Sequence, residues 1–346
     1  MTTDDRDRLH QDAFVFDLHA HAPGFVPQPF RSVWRAAAGA PPEDGFDALR
    51  RGGVDAAVAS AVGDPIVTRC YLGRRAWDAV ATQLTRIERR AADAGTVVAT
   101  SVEAVVAART RRTPAVLLGI EGADALGHDV DLVDAWHERG VRLIGLVHLG
   151  DNTLATTCLP WQRYAGPLPV RRSREPGLTA LGGRVVARMN RLGVVVDVSH
   201  GDRPTVLDVA AATSAPIVSS HSGALAVQDF PRYLSDDELR AIAATGGLVG
   251  LWPYRNRHQG VRDLHELMAH ARHIADAVGP EHLALGTDMN GLPGAMAGFT
   301  GEADLPKVTD ALLNSGFDHG EVTGILGANA LRVLRLVEQH ARATPS

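Results

Sequence analysis

The feature that most constrains the fold of this chain is the repeated alternation of short apolar runs with amphipathic segments. The runs are rich in Val, Ile, Leu and Ala, and most of them end in polar residues. Near-continuous apolar runs of this length are typical of strands that are buried on both faces, as in a parallel sheet. Eight such runs occur, at residues 14–18, 54–60, 115–120, 141–147, 194–199, 216–220, 247–251 and 283–287.

The segments between the runs have the periodicity of helices. Residues 77–94 and 181–192 place apolar side chains on one stripe above charged faces. Ser235, followed three residues later by Glu238, is typical of a helix N-terminus with a capping box. Alternation of strand and helix repeated eight times predicts an α/β fold, a (β/α)8 TIM barrel. An open doubly wound sheet is the alternative, but no Gly-x-Gly-x-x-Gly motif follows the first run.

The length of 346 residues fits two small domains or one large barrel equally well. We expect a single barrel domain over residues 1–346. Residues 22–50 and 148–176 carry the densest Pro and Arg content, and we expect them to form long loops over the C-terminal face of the barrel.

Charge and composition exclude several classes of partner. The net charge of −5 provides no basic surface for nucleic acid or anionic lipid, so we expect a small-molecule partner. The first residues are charged and lack the apolar core of a signal peptide, and no window approaches ~18 uninterrupted apolar residues. We therefore expect a cytoplasmic protein without a membrane span. The two cysteines, Cys70 and Cys158, match no metal-binding or redox spacing.

Residues with metal-binding side chains follow the apolar runs. Barrel enzymes assemble their active sites from the C-terminal ends of the strands, so side chains at these positions are expected to meet. Because alternate residues of a strand face the same side, His19 and His21 can both point into the mouth of the barrel. The residues at these predicted strand ends are His19, His21, Glu121, His148, His200, His221 and Asp288.

This set of side chains predicts a metal site. A single His after a strand is more often a hydrogen-bonded structural residue, but donors at the ends of six predicted strands are difficult to explain in that way. Imidazole and carboxylate ligands suit Zn²⁺ and related transition-metal ions. With a pair of histidines on either side, Glu121 could bridge two ions, an arrangement suited to hydrolysis.

Long stretches of the chain resemble the membrane (renal) dipeptidases, peptidase family M19, which are metallopeptidases of the amidohydrolase superfamily. The similarity extends from Phe16 to about Val337, and its blocks occur in the family's order. The most specific stretches are GIEGADAL at 119–126, RLIGLVHLGDNTLA at 142–155, GLTALGGRVVARMNRLGVVVDVSHGD at 177–202, APIVSSHSGALAVQDFPRYLSDDELRAIAATGGLVGL at 215–251, LALGTDMNG at 283–291 and ILGANALRVL at 325–334.

The resemblance implies a ligand set for two divalent ions. His19 and His21 would bind the first ion. His200 and His221 would bind the second, and Glu121 would bridge the two. The fold that the resemblance implies is the barrel of the metal-dependent hydrolases, in agreement with the pattern of strands and helices.

The resemblance also implies roles in catalysis and substrate binding. Asp288 would transfer the proton of the bridging water, and His148 would contact the scissile carbonyl or its tetrahedral oxyanion. Arg232 would bind the terminal carboxylate of the substrate, which a guanidinium can hold through two parallel hydrogen bonds. Tyr254, just after the seventh run, could bind substrate as part of the pocket wall, although packing fits its position equally well.

Two residues depart from the family pattern. His21 occupies a position at which the family has Asp, which removes one negative charge from the first metal site. We expect that ion to be lost more readily to chelators. Asn290 stands where the family's last strand has a second acid. Together these departures leave room for a specialised substrate.

We therefore expect a zinc-dependent, dipeptidase-like hydrolase with two divalent ions. It would cleave the amide bond of a dipeptide or dipeptide-like substrate through attack by a metal-bridging hydroxide.

Two alternatives stay open. The same site could act on a non-peptide carboxylated metabolite, by hydrolysis or decarboxylation, in a specialised biosynthetic pathway. The second alternative is a catalytically silent barrel, which predicts weak metal retention. A homodimer is compatible with these expectations.

Overall fold

A computed structural model of the chain describes residues 3–38, 40, 42–163, 175–256, 258–292 and 294–343. Within these ranges nine strands form one sheet, and all pairings between the strands are parallel. In chain order the strands are β1 (Phe16–Ala20), β2 (Ala56–Val62), β3 (Val97–Ala99), β4 (Ala115–Glu121), β5 (Val141–Gly145), β6 (Val195–Asp197), β7 (Ile217–Ser222), β8 (Leu248–Leu251) and β9 (Leu283–Leu285).

Eight of these strands close into a barrel. Neighbours follow the order β2, β1, β9, β8, β7, β6, β5 and β4, and β4 returns to β2. In this closing pair Ala56 lies opposite Ala115, and Val62 lies opposite Glu121. The ninth strand, β3, pairs with the first residues of β4 and is not part of the ring. The closed parallel order confirms the predicted (β/α)8 barrel, and each of the eight predicted runs overlaps one barrel strand.

Burial on both faces explains why the barrel strands are apolar runs. Every residue of β2 and of β4 is buried. Successive side chains of β4 alternate between two apolar clusters: Val116 and Leu118 pack in one, and Ala115 and Leu117 in the other. Neither β2 nor β4 has a face left for solvent, so the polar Glu121 at the end of β4 is not explained by exposure.

Helices follow most of the strands around the barrel, and none in the described ranges is long and apolar enough to cross a membrane. They are α1 (Thr3–Asp12), α2 (Phe30–Ala38), α3 (Asp47–Arg51), α4 (Pro65–Thr68), α5 (Ala76–Asp93), α6 (Val102–Thr110), α7 (Leu132–Glu138), α8 (Ala180–Leu192), α9 (Arg203–Ala212), α10 (Asp236–Ala244), α11 (Leu264–Val278), α12 (Leu305–Asn314), α13 (His319–Thr323) and α14 (Asn329–Ala343).

The predicted helices are confirmed with small differences in their ends. The segment 77–94 corresponds to α5, and the segment 181–192 corresponds to α8. Ser235 is the N-cap of α10 and forms the predicted capping box with Glu238, whose carboxylate accepts the Ser235 amide hydrogen at 2.8 Å.

The predicted loop at 22–50 is wrong in part, because this segment contains α2 and most of α3. The α2 sequence, FRSVWRAAA, is amphipathic, and Trp34 on α2 packs against a small apolar cluster that includes Phe25 and Tyr71. In the second predicted loop, 148–176, a short 3₁₀ turn at Trp161–Arg163 is present, and residues 164–174 lie outside the described ranges.

Candidate metal centre

Four imidazole rings surround the carboxylate of Glu121 at the C-terminal end of the barrel. Glu121 is the last residue of β4, His19 lies in β1, His21 directly follows β1, and His221 lies in β7. His200 follows β6, and its Nε2 atom is 3.0 Å from Glu121 Oε1. The Nε2 atoms of His19 and His221 are each 3.5 Å from the same oxygen, and that of His21 is 3.4 Å from Oε2. The structure therefore brings together all five predicted metal ligands.

Hydrogen bonds behind the rings orient two of these histidines. Nδ1 of His21 donates to the carbonyl of Ser60 at 2.9 Å. Ser220 Oγ donates to Asp197 at 2.6 Å, which leaves it free to accept from Nδ1 of His221 at 2.9 Å. With a hydrogen on Nδ1 in both rings, the neutral form of each ring presents the Nε2 lone pair to the centre, which is the tautomer that a metal ligand needs.

Three site residues have a left-handed backbone that non-glycine residues rarely adopt. The φ angles are 66° at His200, 53° at Asp288 and 64° at Asn290. Such conformations cost of order 1–3 kcal/mol each and persist where the surrounding structure imposes them. The amide of Asp288 donates to the carbonyl of His19 at 2.8 Å, which ties this strained turn to β1. Three of the four non-glycine residues with positive φ in the described ranges thus belong to this site, and the fourth is Arg112.

Glu121, His200 and His221 have the protonation states of metal ligands. Burial opposes ionisation of Glu121, but neighbouring His148 and His19 outweigh it and hold the pKa of this carboxyl well below its usual range. Burial, followed by the charge of Arg232, holds the pKa of His200 well below the usual value. Burial and the proximity of His19 do the same to the pKa of His221. An anionic carboxylate beside the neutral imidazoles of His200 and His221 is the form that binds cations.

The arrangement of the donors fits divalent metal ions. Nε2 of His200 and Nε2 of His221 lie only 3.0 Å apart, and those of His19 and His21 only 3.3 Å apart. Nitrogen atoms paired this closely can both coordinate one cation when their rings are neutral. Three groups among the described residues have donor atoms within 4.8 Å of one another: His19–His21–Glu121, His19–Asp197–His221 and Glu121–His148–His200.

Asp288 lies beside the first histidine pair. Its Oδ1 atom is 3.5 Å from Nε2 of His21, and its Oδ2 atom accepts a hydrogen bond from Nε1 of Trp252 at 3.2 Å. Burial opposes the charged form of His21, but Asp288 and Glu121 outweigh it and raise the pKa of His21 to about 10. The two carboxylates therefore favour a positive charge at this position.

His148 lies at the edge of the centre, with Nε2 3.6 Å from Glu121 Oε2. Its Nδ1 atom is hydrogen-bonded to the carboxylate of Asp64, which follows β2. Sequence reasoning did not single out Asp64. The available signal was its place before Pro65, which is typical of a helix N-cap and carries no information about a distant imidazole.

Two of the three predicted substrate-binding residues, Arg232 and Tyr254, contact Trp252. Arg232 is buried, with its guanidinium 4.7 Å from the centre of the Trp252 ring, and its Nη2 donates to the His221 carbonyl at 3.4 Å. Tyr254 stacks on the same indole, with 4.3 Å between ring centres, and its hydroxyl accepts from Nδ2 of Asn256 at 2.6 Å. Tyr254 therefore packs in the wall beside Arg232, and its substrate-binding role stays a prediction.

Asn290 connects β1 to the segment before α3. Its Oδ1 atom accepts from the amide of Asp44 at 2.9 Å, and its Nδ2 atom donates to the carbonyls of His21 at 2.7 Å and Asp44 at 3.0 Å. An ionised carboxylate could not make the two donations. The amide at this position thus holds the backbone of a candidate ligand in place.

A parallel eight-stranded barrel with a buried histidine–carboxylate centre at its C-terminal end defines a barrel of the metal-dependent hydrolase type. The family model described as membrane dipeptidase (peptidase family M19) matches residues 3–346. The chain belongs to this family.

Curated relatives agree with the family assignment. Dipeptidase aclJ of Aspergillus oryzae is 32% identical over 231 residues, 66% of this chain and 52% of the relative. Dipeptidase 3 of Mus musculus is 31% identical over 233 residues, 65% of this chain and 45% of the relative. The chain thus spans about half the length of the curated relatives that it matches.

Two solved structures share the fold over nearly the whole chain. The probable dipeptidase PvdM of Pseudomonas aeruginosa has a TM-score of 0.82 at 22% identity and covers 98% of each chain. A metallopeptidase of Rhodobacter sphaeroides, solved with a phosphinate mimic of the dipeptide L-Ala-D-Ala, has a TM-score of 0.77 at 23% identity and covers 94% of this chain and 99% of its own. At these identities the similarity supports the fold.

Proposed function

We propose that this protein is a dipeptidase that uses two divalent metal ions, with zinc as the expected metal, to hydrolyse the amide bond of a dipeptide or dipeptide-like substrate. The observation that carries the proposal is the convergence of four histidine Nε2 atoms on the two oxygens of one buried carboxylate. Membership of a family of dipeptidases supports the choice of substrate class.

The two histidine pairs divide the ligand set. His19 and His21 would hold one ion, His200 and His221 the other, and Glu121 would contribute one oxygen to each. Such ions, when bound, act as Lewis acids and make water a nucleophile near neutral pH. Burial of all five side chains keeps competing solvent away from the donors.

Asp288 is the proposed acid–base residue. Trp252 Nε1 fixes one carboxylate oxygen at 3.2 Å, so the other, Oδ1, is held toward the centre. At Oδ1 the carboxylate accepts the proton of the attacking water and then delivers it to the departing amine. Because Trp252 fixes the carboxylate, Asp288 need not reorient between these two proton transfers.

His148 and Arg232 are the proposed substrate-binding groups. Burial opposes the charged form of His148, but Glu121 and Asp64 outweigh it and raise the pKa of this imidazole, so that Nε2 also carries a hydrogen. Nε2 lies next to Glu121, where it can donate to the scissile carbonyl oxygen as negative charge develops there. The guanidinium of Arg232 takes the terminal carboxylate, because a buried Arg is favoured where a fork of two donors matches two oxygens. The substrate would thus be bound on both sides of the scissile bond, at its carbonyl oxygen and at its terminal carboxylate.

Metal analysis combined with a dipeptide assay tests the proposal. We expect two ions per chain and hydrolysis of at least one dipeptide in a panel that includes L-Ala-D-Ala, with activity lost to a chelator and restored by zinc. At most one tightly held ion would argue against the bridging role of Glu121. Turnover of carboxylated non-peptides with inert dipeptides would favour the alternative substrate class, and failure to retain any metal would favour a silent barrel. The single domain, the cytoplasmic location and the homodimer stay predictions.

A further inference from the structure

We propose that Asp64 is a positioning residue for His148, whose imidazole it fixes with Nε2 toward the reacting carbonyl. This inference rests on the proposed function, because it assigns to His148 the contact with the substrate carbonyl. It concerns a contact between two loops at the C-terminal end of the barrel, one after β2 and one after β5.

The carboxylate of Asp64 divides its two oxygens between two tasks. Oδ1 accepts from the amides of Ile66 at 2.6 Å and Val67 at 3.0 Å, which makes Asp64 the N-cap of α4. Oδ2 accepts from Nδ1 of His148. Asp64 is 1% exposed, so water does not compete for either oxygen.

This hydrogen bond determines how His148 is presented. A carboxylate can only accept, so the hydrogen of the shared bond belongs to His148 Nδ1. With Nδ1 held on one side, Nε2 points to the opposite side, where it lies 3.6 Å from Glu121 Oε2. Rotation of the ring about its χ angles would break the bond to Asp64. An acceptor behind an imidazole is the usual way in which its tautomer and orientation are set.

Local hydrogen bonds fix the backbone around Asp64, and the carbonyl of His148 accepts from Thr157 Oγ1 at 2.7 Å. Pro65 fixes the first position of α4, and both the amide and the hydroxyl of Thr68 donate to the Asp64 carbonyl, at 2.9 and 2.8 Å. His148 lies three residues beyond the end of β5. Gly122 leaves room for the pair, because a Cβ atom there would lie 3.1 Å from His148 Cβ.

Capping alone does not account for an aspartate at this position. The helix that it caps, α4, has only four residues, and Ser or Thr caps helices about as well as Asp does. A cap requires one acceptor atom, and here the second oxygen is directed at an imidazole from a segment 84 residues away in the chain. That second contact is what a serine in place of Asp64 would lack.

The first test therefore uses Asp64→Ser, which keeps an acceptor for the α4 amides and removes the partner of His148. We expect kcat for the best dipeptide substrate to fall by roughly 10- to 100-fold, with KM and metal content little changed. The matched control is Asp263→Ser at the N-cap of α11. The Asp263 side chain accepts from the backbone amide of Glu266 at 3.0 Å and lies on the exposed surface. The control should retain wild-type kcat.

A double-mutant cycle separates positioning from an independent contribution. If Asp64 acts through His148, then Asp64→Ser combined with His148→Ala should be no slower than His148→Ala alone. Losses that multiply in the double variant would overturn the proposal, because they would mean that Asp64 affects turnover by another route.

Nitrogen NMR of the zinc-loaded protein without substrate gives a readout that does not depend on activity. In wild type, Nδ1 of His148 should carry a proton. In Asp64→Asn the amide oxygen caps α4 and the NH₂ group faces Nδ1, so we expect the Nδ1 resonance to move to the unprotonated range. An unchanged His148 signal in both variants would refute positioning by Asp64. Inert dipeptides together with the expected NMR shift would refute only the proposed substrate.

Discussion

The two histidine pairs of the candidate centre share one carboxylate, but the charges around them are opposite. His19 and His21, the first half, lie beside carboxylates. His200 and His221, the second half, lie beside the guanidinium of Arg232. The centre is therefore polarised, with the first half suited to positive charge and to proton transfer, and the second half suited to an anionic group of the substrate.

Carboxylates surround the first half from two sides. Asp288 approaches His21 from the front, with 3.5 Å between Oδ1 and Nε2. Asp17 lies behind, where Oδ1 accepts the amide of His19 at 3.1 Å. Burial raises the pKa of Asp17 to about 6, although hydrogen bonds from Thr287 oppose the shift. Behind Asp17 lies a further buried acid, Glu302.

The largest effect should come from removing the acid–base group of the first half. Asp288→Asn should lower kcat by roughly 10²–10⁴-fold, the usual contribution of general acid–base catalysis. Asn tolerates the left-handed backbone found here, and its amide oxygen can still accept from Trp252. Steady-state kinetics with metal analysis of the same preparation is the measurement. Both ions should stay bound.

Two results would contradict this role of Asp288. Loss of one ion from the Asn variant would make Asp288 a metal ligand. Turnover close to that of wild type would remove the carboxylate from the mechanism and leave the first half without a proton carrier.

Arg232 is the corresponding test of the second half. A hydrogen bond to a charged group contributes about 1.5–3 kcal/mol, so Arg232→Ala should lower kcat/KM by roughly 10- to 150-fold for dipeptides with a free carboxylate. Substrates amidated at that end should be affected little. Arg232→Lys should restore activity only in part, because an ammonium group lacks the two parallel donors. If free and amidated substrates suffer equally, Arg232 acts only through its packing on Trp252.

His21 tests whether the charge of the first half limits metal binding. His21→Asp adds one negative charge, and we expect the ion of this half to be held at least about fivefold more tightly, since unit charges 4 Å apart attract by about 1 kcal/mol even in water. The measurement is loss of metal to a competing chelator. His21→Asn is the matched control, because it has the size of Asp without its charge. Equal affinities in wild type and His21→Asp would show that the neighbouring carboxylates already supply the needed charge.

The barrel and the positions of the metal-binding residues could be predicted from sequence because both follow from local rules. Strands buried on two faces appear as apolar runs, and the ends of parallel strands meet wherever the barrel closes. Glu121 and His221 could therefore be placed together although they are far apart in the chain. The family resemblance then supplied the roles.

Other features depend on contacts that no local pattern encodes. The apolar stretch at β3 is only the three residues Val97–Ala99, shorter than any of the eight predicted runs, and α2 lies among prolines and glycines that favour a loop. The contact of Asp64 with His148 joins segments 84 residues apart. Asn290 suggested a lost acid in the sequence, whereas in the structure its amide makes two donations that an ionised acid cannot make.

We expect the smallest effect on catalysis from a change at Glu302. This change tests the buried acids near the first half of the centre. Burial, with the charges of Asp17 and Asp44 outweighing that of Arg51, raises the pKa of Glu302 to about 8 from the ordinary 4.5. Between these values the folded chain holds a proton that the unfolded chain has released, so stability from this group is complete below pH 4.5 and falls as pH rises to about 8. The slope for one proton is about 1.4 kcal/mol per pH unit.

The free energy of unfolding of Glu302→Gln should therefore match that of wild type near pH 4.5 and exceed it increasingly toward pH 8. Chemical unfolding across this range is the measurement. Gln in place of the exposed Glu138 is the control and should not show this increase. A constant difference between Glu302→Gln and wild type across this range would mean that Glu302 is ionised in the folded protein, and that burial and the charges of Asp17 and Asp44 do not hold its proton.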